Sequence, residues 1–289
     1  VCDDERSYCS AGGHRPPTSL PQLWLQRRAD AVTCRHNSVS FFGRQGPSIT
    51  TRRHTHQPRA KSQQPKANLM TPFYVAPEQL VRDKAEFART GIARGRSIIA
   101  IEYADGILLL AENPSLSLHK LSEVYDRIAF AGVGRYNEYE TLRKAGIRQA
   151  DVTGYLYSRQ DVTGMGLATA FSQTLGQIFS HEPKPFEVEM LICEVGLETS
   201  GNRMFKITYD GTLYDQRQMT AIGGKSEALE EALREGFAEG MSLQAAFDLG
   251  VSAFRAAEDR DPDGWEIAVL ERSNGRRTFR RIDPDDLTS

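Results

Sequence analysis

Long hydrophobic runs are missing from this sequence. The longest uninterrupted aliphatic stretch is Ile107 to Ala111, against the roughly 18 to 20 apolar residues that cross a bilayer. That shortfall excludes a helical membrane span, and no membrane partner is expected. Cysteine is scarce as well. The four present, Cys2, Cys9, Cys34 and Cys193, are too few for a disulfide framework, and none forms the Cys-x-x-Cys pair that starts a zinc site. A reducing, cytoplasmic setting is expected. In the patterned part of the chain His119 and His181 stand alone, so surface or capping roles are expected for them, and no metal. Two catalytic signatures are also absent. There is no Gly-x-Ser-x-Gly elbow, and Gly223-Gly224-Lys225-Ser226 has Met219 where a phosphate loop needs its first glycine. It reads instead as a strand-to-helix turn with Ser226 as N-cap. Gly164-Met165-Gly166 follows Asp161-Val162-Thr163 rather than a hydrophobic strand, a weak dinucleotide signal. No cofactor is expected.

Methionine is absent before Met70, and the composition changes there. Residues 1–69 carry 11 Lys and Arg against 4 Asp and Glu, net +7, whereas the rest carry 25 against 34, net −9. The first part is broken by Gly12-Gly13, Pro16-Pro17, Gly46-Pro47, Pro58 and Pro65 and holds no helical or strand period beyond one turn. It reads as a disordered extension or a mis-set start. Three origins stay open: a basic arm for nucleic acid, a targeting peptide, or upstream sequence from a start codon set too early. The missing methionine favours the last. The nearest thing to a basic cluster, Arg52-Arg53-His54-Thr55-His56, is short, and the acidic remainder would repel a polyanion. No nucleic-acid partner is expected. The division is therefore 1–69 and 70–289, the second part large enough for one sizeable core.

Periodicity from Pro77 onward alternates in blocks. Pro77 to Arg89 reads as a helix opened by proline and ended by Gly91, with Leu80, Lys84, Phe87 and Ala88 on one side. Ser97 to Tyr103, an Asp105-Gly106 turn and Ile107 to Ala111 read as a hairpin covered on both faces. Ile128 to Val133 is a strand, and Arg135 to Lys144 a helix ended by Gly146. The longest helix is expected from about Thr163 to Ser180. Strands follow at 187–197, 203–208 and 213–222, with a tight turn at Tyr209-Asp210-Gly211. Helices near 226–239 and 242–257 precede closing strands at 265–271 and 278–282 around Asn274-Gly275. The order is α+β with antiparallel sheets.

Six blocks in register carry a resemblance: Gly91 to Ala100, Ala111 to Ser115, Lys120 to Arg127, Asp161 to Gly164, Tyr209 to Gly211 and Ala221 to Gly224. Together they resemble the α subunits of the proteasome core (20S) particle. The opening Thr71 to Gln79 looks like the actinobacterial branch, and the resemblance spans Met70 to Ile282. It implies a four-layer α-β-β-α sandwich, the N-terminal-nucleophile hydrolase or proteasome-subunit fold. It also implies a heptameric outer ring with six other copies of the chain, capping rings of β subunits that do the cutting, and the N-terminal helix at 77–90 shares in the contacts between neighbours.

In the β subunits of that family a threonine exposed by self-cleavage is the nucleophile. Aligned on Ser97 to Ile101, that position here is Arg96. The orienting acid falls at Glu112 and the lysine at Lys120, so no catalytic residue is expected. The resemblance gives Lys120 another role, lining a pocket where the C-terminal carboxylate of a ring-shaped ATPase docks; the bland alternative is a solvated lysine beside Glu123. It also implies a gate at residues 70–76, Thr71, Pro72, Phe73, Tyr74, Val75 and Ala76 following Met70, and substrates marked by a small protein tag. For Phe73 and Tyr74, packing under the first helix remains open. The competing enzyme reading is a self-processing hydrolase cleaved between Arg96 and Ser97, with Ser97 as nucleophile.

Overall fold

The computed structural model describes residues 76–115, 117–258 and 260–288. In chain order the elements are α1 (Pro77–Ala93), β1 (Ile98–Tyr103), β2 (Gly106–Glu112), β3 (Leu121–Tyr125), β4 (Ile128–Gly134), α2 (Tyr136–Leu156), α3 (Gly164–His181) and β5 (Val188–Glu194). There follow β6 (Arg203–Ile207), β7 (Leu213–Gln216), β8 (Met219–Ile222), α4 (Ser226–Gly236), α5 (Leu243–Glu258), β9 (Trp265–Glu271), β10 (Phe279–Ile282) and α6 (Pro284–Thr288). The gate residues Thr71 to Val75 and the extension 1–69, with Cys2, Cys9 and Cys34, lie outside the described residues; Ala76 precedes α1.

The strands form two antiparallel sheets, ordered β10-β9-β2-β1-β8 and β3-β4-β5-β6-β7. Side chains alternate across each strand, so each sheet packs on both faces. From the first hairpin Ile98, Ala100, Ile107, Leu109 and Ala111 meet Ala129, Ala131, Leu191 and Cys193 of the other sheet. The opposite face, Ile99, Ile101, Leu108 and Leu110, packs with Leu229, Leu233, Phe247 and Phe254 of α4 and α5. Phe130, Met190 and Ile192 pack with Leu167, Phe171 and Leu175 of α3. The result is the four-layer α-β-β-α sandwich. Each large side chain fully buried in it, Phe130, Phe205 and Phe254 among them, contributes roughly 1.5 to 3 kcal/mol.

Several local expectations need correction, and glycine accounts for two. α1 runs past Gly91 and α2 runs through Gly146 to Leu156, making α2 the longest helix at 21 residues against 18 for α3. Neither glycine terminates a helix; both allow a close approach. A Cβ at Gly91 would lie 2.1 Å from Glu187 Oε2, and one at Gly146 would lie 2.3 Å from Phe171 Cζ. On α1 only Ala88 and Ile92 are buried, while Leu80 and Phe87, expected on the packed side, are about half exposed. The apparent strand 213–222 is two strands in different sheets, divided at Arg217-Gln218, where Gln218 adopts φ 68°. Ser226 is the first residue of α4 and not its cap: Lys225 occupies that place, and Ser226 donates its amide to Gly223 O at 3.2 Å. By contrast Thr163 caps α3, accepting from the Gly166 amide at 3.1 Å. Strand β3 and the short α6 went unread in the sequence. No helix among the described residues is long and apolar enough to cross a membrane.

Candidate functional site

Three strand ends bring the sequence-selected residues together. Arg96 and Ser97 lead into β1, Glu112 ends β2, and Lys120 immediately precedes β3. Ile98 pairs with Ala111 across the hairpin, so the next step along the register sets Ser97 alongside Glu112. Lys120 is largely buried and turns inward. Its Nζ donates to the carbonyl of Arg96 at 2.9 Å and of Glu112 at 3.1 Å. The alternative of a solvated lysine beside Glu123 fails here, because Glu123 is taken by Arg277.

Glu112 is fully buried and heavily satisfied. Arg260 donates to both of its oxygens, at 2.7 and 2.8 Å, and Arg96 adds a further guanidinium contact. The Asp263 amide approaches at 3.3 Å, and Asp263 also binds Arg96 at 2.8 Å. Burial pushes the Glu112 carboxyl up, but the Arg260 bonds, the Asp263 amide and Arg96 outweigh it and hold it below the usual carboxylate range. A second buried acid, Glu266 on β9, accepts from the amides of Lys120 (2.9 Å) and Leu121 (3.2 Å), from Asn113 (2.8 Å) and from Arg281 (2.6 Å). It too is held low against its burial. Lys120 titrates the other way: burial brings the ammonium down to about 8, opposed by Glu112 and Glu266.

An open pocket of about 380 Å³ lies beside these groups, lined in part by Arg94, Arg96, Lys225 and Arg260 together with Glu258 and Asp263; Lys120 is not part of its lining. The arrangement suits ion recognition. A guanidinium stands at position 96, tied to Glu112 and Asp263, and offers no nucleophile. Ser97 is 1% exposed, and cutting before it would release α1, whose Ala88 and Ile92 belong to the core. Both observations weigh against Ser97 as a processed nucleophile. His119 lies 3.4 Å from Glu266, and His181 Nδ1 lies 3.0 Å from Gln177 O in the last turn of α3. Among the described residues no group of three or more His, Cys, Asp or Glu side chains is arranged to hold a metal ion.

Sequence reasoning missed Arg260, Asp263 and Glu266. Arg260 is 148 residues from Glu112, and Arg260-Asp261-Pro262-Asp263 reads as an ordinary charged loop; only three-dimensional closure pairs it. A second buried ion cluster was also missed. Glu189 accepts from the Gly223 amide at 2.8 Å and lies 3.5 Å from Lys206, which is 3.6 Å from Glu230 and donates to Ala221 O at 2.9 Å. It links β5 and β6 of one sheet to β8 of the other, and burial pushes the Glu189 carboxyl up.

Comparison with known proteins follows the same line. The family profile "Proteasome subunit" matches residues 92–271. The protein named proteasome subunit alpha from Thermomonospora curvata is 52% identical over 214 residues, spanning 73% of this chain and 93% of its own. The one from Acidothermus cellulolyticus is 52% identical over 221 residues, 74% and 94%. That from Kineococcus radiotolerans is 50% identical over 224 residues, again 74% and 94%.

Proposed function

Because this chain belongs to the proteasome subunit family, on its alpha branch, we propose that it is the non-catalytic ring and gate subunit of a cytoplasmic proteasome core. Copies of the chain close into a heptameric outer ring, a heterologous interface whose rotation closes on itself, and the ring caps the β subunits that cut peptide bonds. Met70 to Ala76 of each copy gate the entry, and Lys120 receives the C-terminal carboxylate of a ring-shaped ATPase that delivers tagged proteins. The observation that carries the non-catalytic reading is Arg96, which stands where a nucleophile would be and whose guanidinium is committed to Glu112 and Asp263. Support for Lys120 is its partly desolvated ammonium, for which a carboxylate makes a charge-assisted contact stronger than an exposed ion pair.

The test is native mass spectrometry and peptide hydrolysis on a chain starting at Met70, alone and with the β subunit of the same organism. Rings without activity alone, and an active four-ring particle with β, are expected. Peptidase activity from this chain alone, or a monomer indifferent to β, would refute the reading.

A further inference from the structure

The Lys120 ammonium is aimed by main chain. Its two hydrogen bonds go to the carbonyls of Arg96 and Glu112, and among the described residues no carboxylate lies within ion-pair distance of its Nζ. Sheet pairing holds the two strand ends that carry those carbonyls, and the side chains of the same two residues are tied together beside them. Glu112 bonds Arg96, and Arg260 closes a two-point grip on Glu112 from the connection between α5 and β9. That connection is fastened to the same strand ends: Asp263 bonds Arg96, and the Asn113 amide donates to Gly264 O at 3.0 Å. A fully buried carboxylate needs its counter-charges in place, so movement of Arg260 is felt at Glu112 and, one peptide group away, at the carbonyl that holds Lys120.

We propose that Arg260 is a positioning residue for Lys120: gripping Glu112 from the α5–β9 connection, it fixes the two carbonyls that aim the Lys120 ammonium at an incoming carboxylate. The inference rests on the reading that Lys120 docks such a carboxylate. It couples the outer helix layer to the docking point, because Glu258, the last residue of α5, also binds Arg260 at 2.8 Å. The charged groups facing Lys120 are Glu112 on β2, Glu266 on β9, Glu258 on α5 and Arg96 ahead of β1, with Arg281 of β10 tied to Glu266.

These charges give a readout that a purely structural role lacks. Arg260→Gln removes a cation from Glu112, so the acid is less neutralised and Lys120 keeps its proton to higher pH, while the aim is loosened. Glu112→Gln removes the acid and lets the proton go at lower pH. Arg260→Lys keeps the charge but loses the two-point grip. Arg260 itself is partly exposed and Arg96 still contacts Glu112 when it is replaced; Arg260→Lys, which keeps a cation beside the buried acid, separates loss of the grip from loss of the fold.

The experiment uses the full chain assembled with its β subunit. The probe is a fluorescent peptide copying the last ten residues of the host's ring-shaped proteasomal ATPase, with a C-terminally amidated version as control, and Kd is followed across the alkaline limb. Arg260→Gln is expected to weaken binding about fivefold, at the lower end of couplings between linked sites, and to move the limb upward. Arg260→Lys should show the affinity loss with the limb in place, and Glu112→Gln should move the limb downward. If Lys120→Ala abolishes binding while both Arg260 variants match the parent in affinity and limb, this proposal is overturned and the docking reading stands. If Lys120→Ala binds the peptide as the parent does, the docking reading falls and takes the proposal with it.

Discussion

A buried lysine faces opposite demands from folding and from docking. Burial lowers the Lys120 pKa to about 8 in the folded chain, below the ordinary lysine value. Between these two values the unfolded chain still holds the proton that the folded chain has released, so stability rises with pH across that window. A docking carboxylate needs the ammonium, so ATPase-stimulated hydrolysis should decline as pH climbs through about 8. Measured on one particle, thermal stability and stimulation should therefore respond to pH with opposite sign, after subtraction of the same curves for Lys120→Ala. Lys120→Ala should also bring the ratio of stimulated to basal hydrolysis close to one; a ratio equal to the parent's would remove Lys120 from docking. Arg96, Glu112 and Lys120 were legible through the resemblance, because aligning the apolar run Ser97 to Ile101 with the family fixes all three positions; the strand that follows Lys120, with its mixed sequence Leu-Ser-Glu-Val-Tyr, was not legible by itself. Arg260 and Glu266 were not. Their partners lie about 150 positions away; Arg260 in its loop looks the same whether solvated or gripping a buried acid, and Glu266 reads as one polar position in the apolar strand β9.

At the scale of elements, glycine divides the readable from the unreadable. Near-continuous apolar runs located the central strands of both sheets, since a strand covered on two faces has apolar side chains on both. A glycine in a helical pattern has two opposite uses, ending the helix or letting a neighbour approach, and only tertiary contact decides. At Gly146 the neighbour is the Phe171 ring of α3. Gly146→Ala should cost about 1 to 3 kcal/mol by overpacking despite the better helix propensity of alanine. Combination with Phe171→Leu should recover part of it, seen as a non-additive double-mutant cycle in urea. Additive losses would mean the contact is not the reason for the glycine. The β7–β8 boundary failed for a related reason: the residue pattern runs on without a break while the backbone crosses between sheets at Gln218. The gate is also an element-scale matter. A chain lacking the residues through Ala76 should assemble with β and hydrolyse small peptides several times faster without ATPase; an unchanged basal rate would remove the gate reading.

At the scale of the whole domain, several large apolar side chains among the described residues stand exposed outside the well-filled layers. Leu80, Val81 and Phe87 project from α1, and Val152, Tyr155, Leu156 and Tyr157 crowd the end of α2, with Tyr155 89% exposed. Scattered apolar residues on a surface are ordinary, whereas consecutive large ones at a helix end make that end of α2 a candidate contact surface in an assembly. Their exposure separates two costs. Tyr155→Glu removes almost no buried contact within the chain, so the isolated subunit should keep its stability to within about 0.5 kcal/mol. In an assembly the same change places a carboxylate against a partner and strands its charge in a desolvated interface. Sedimentation of the chain co-expressed with β should therefore shift from full particles toward smaller species while the melting temperature of the free subunit stays where it was. Full assembly by the variant would show that the end of α2 faces solvent in the particle. A lowered melting temperature of the free subunit would show instead that Tyr155 supports the fold.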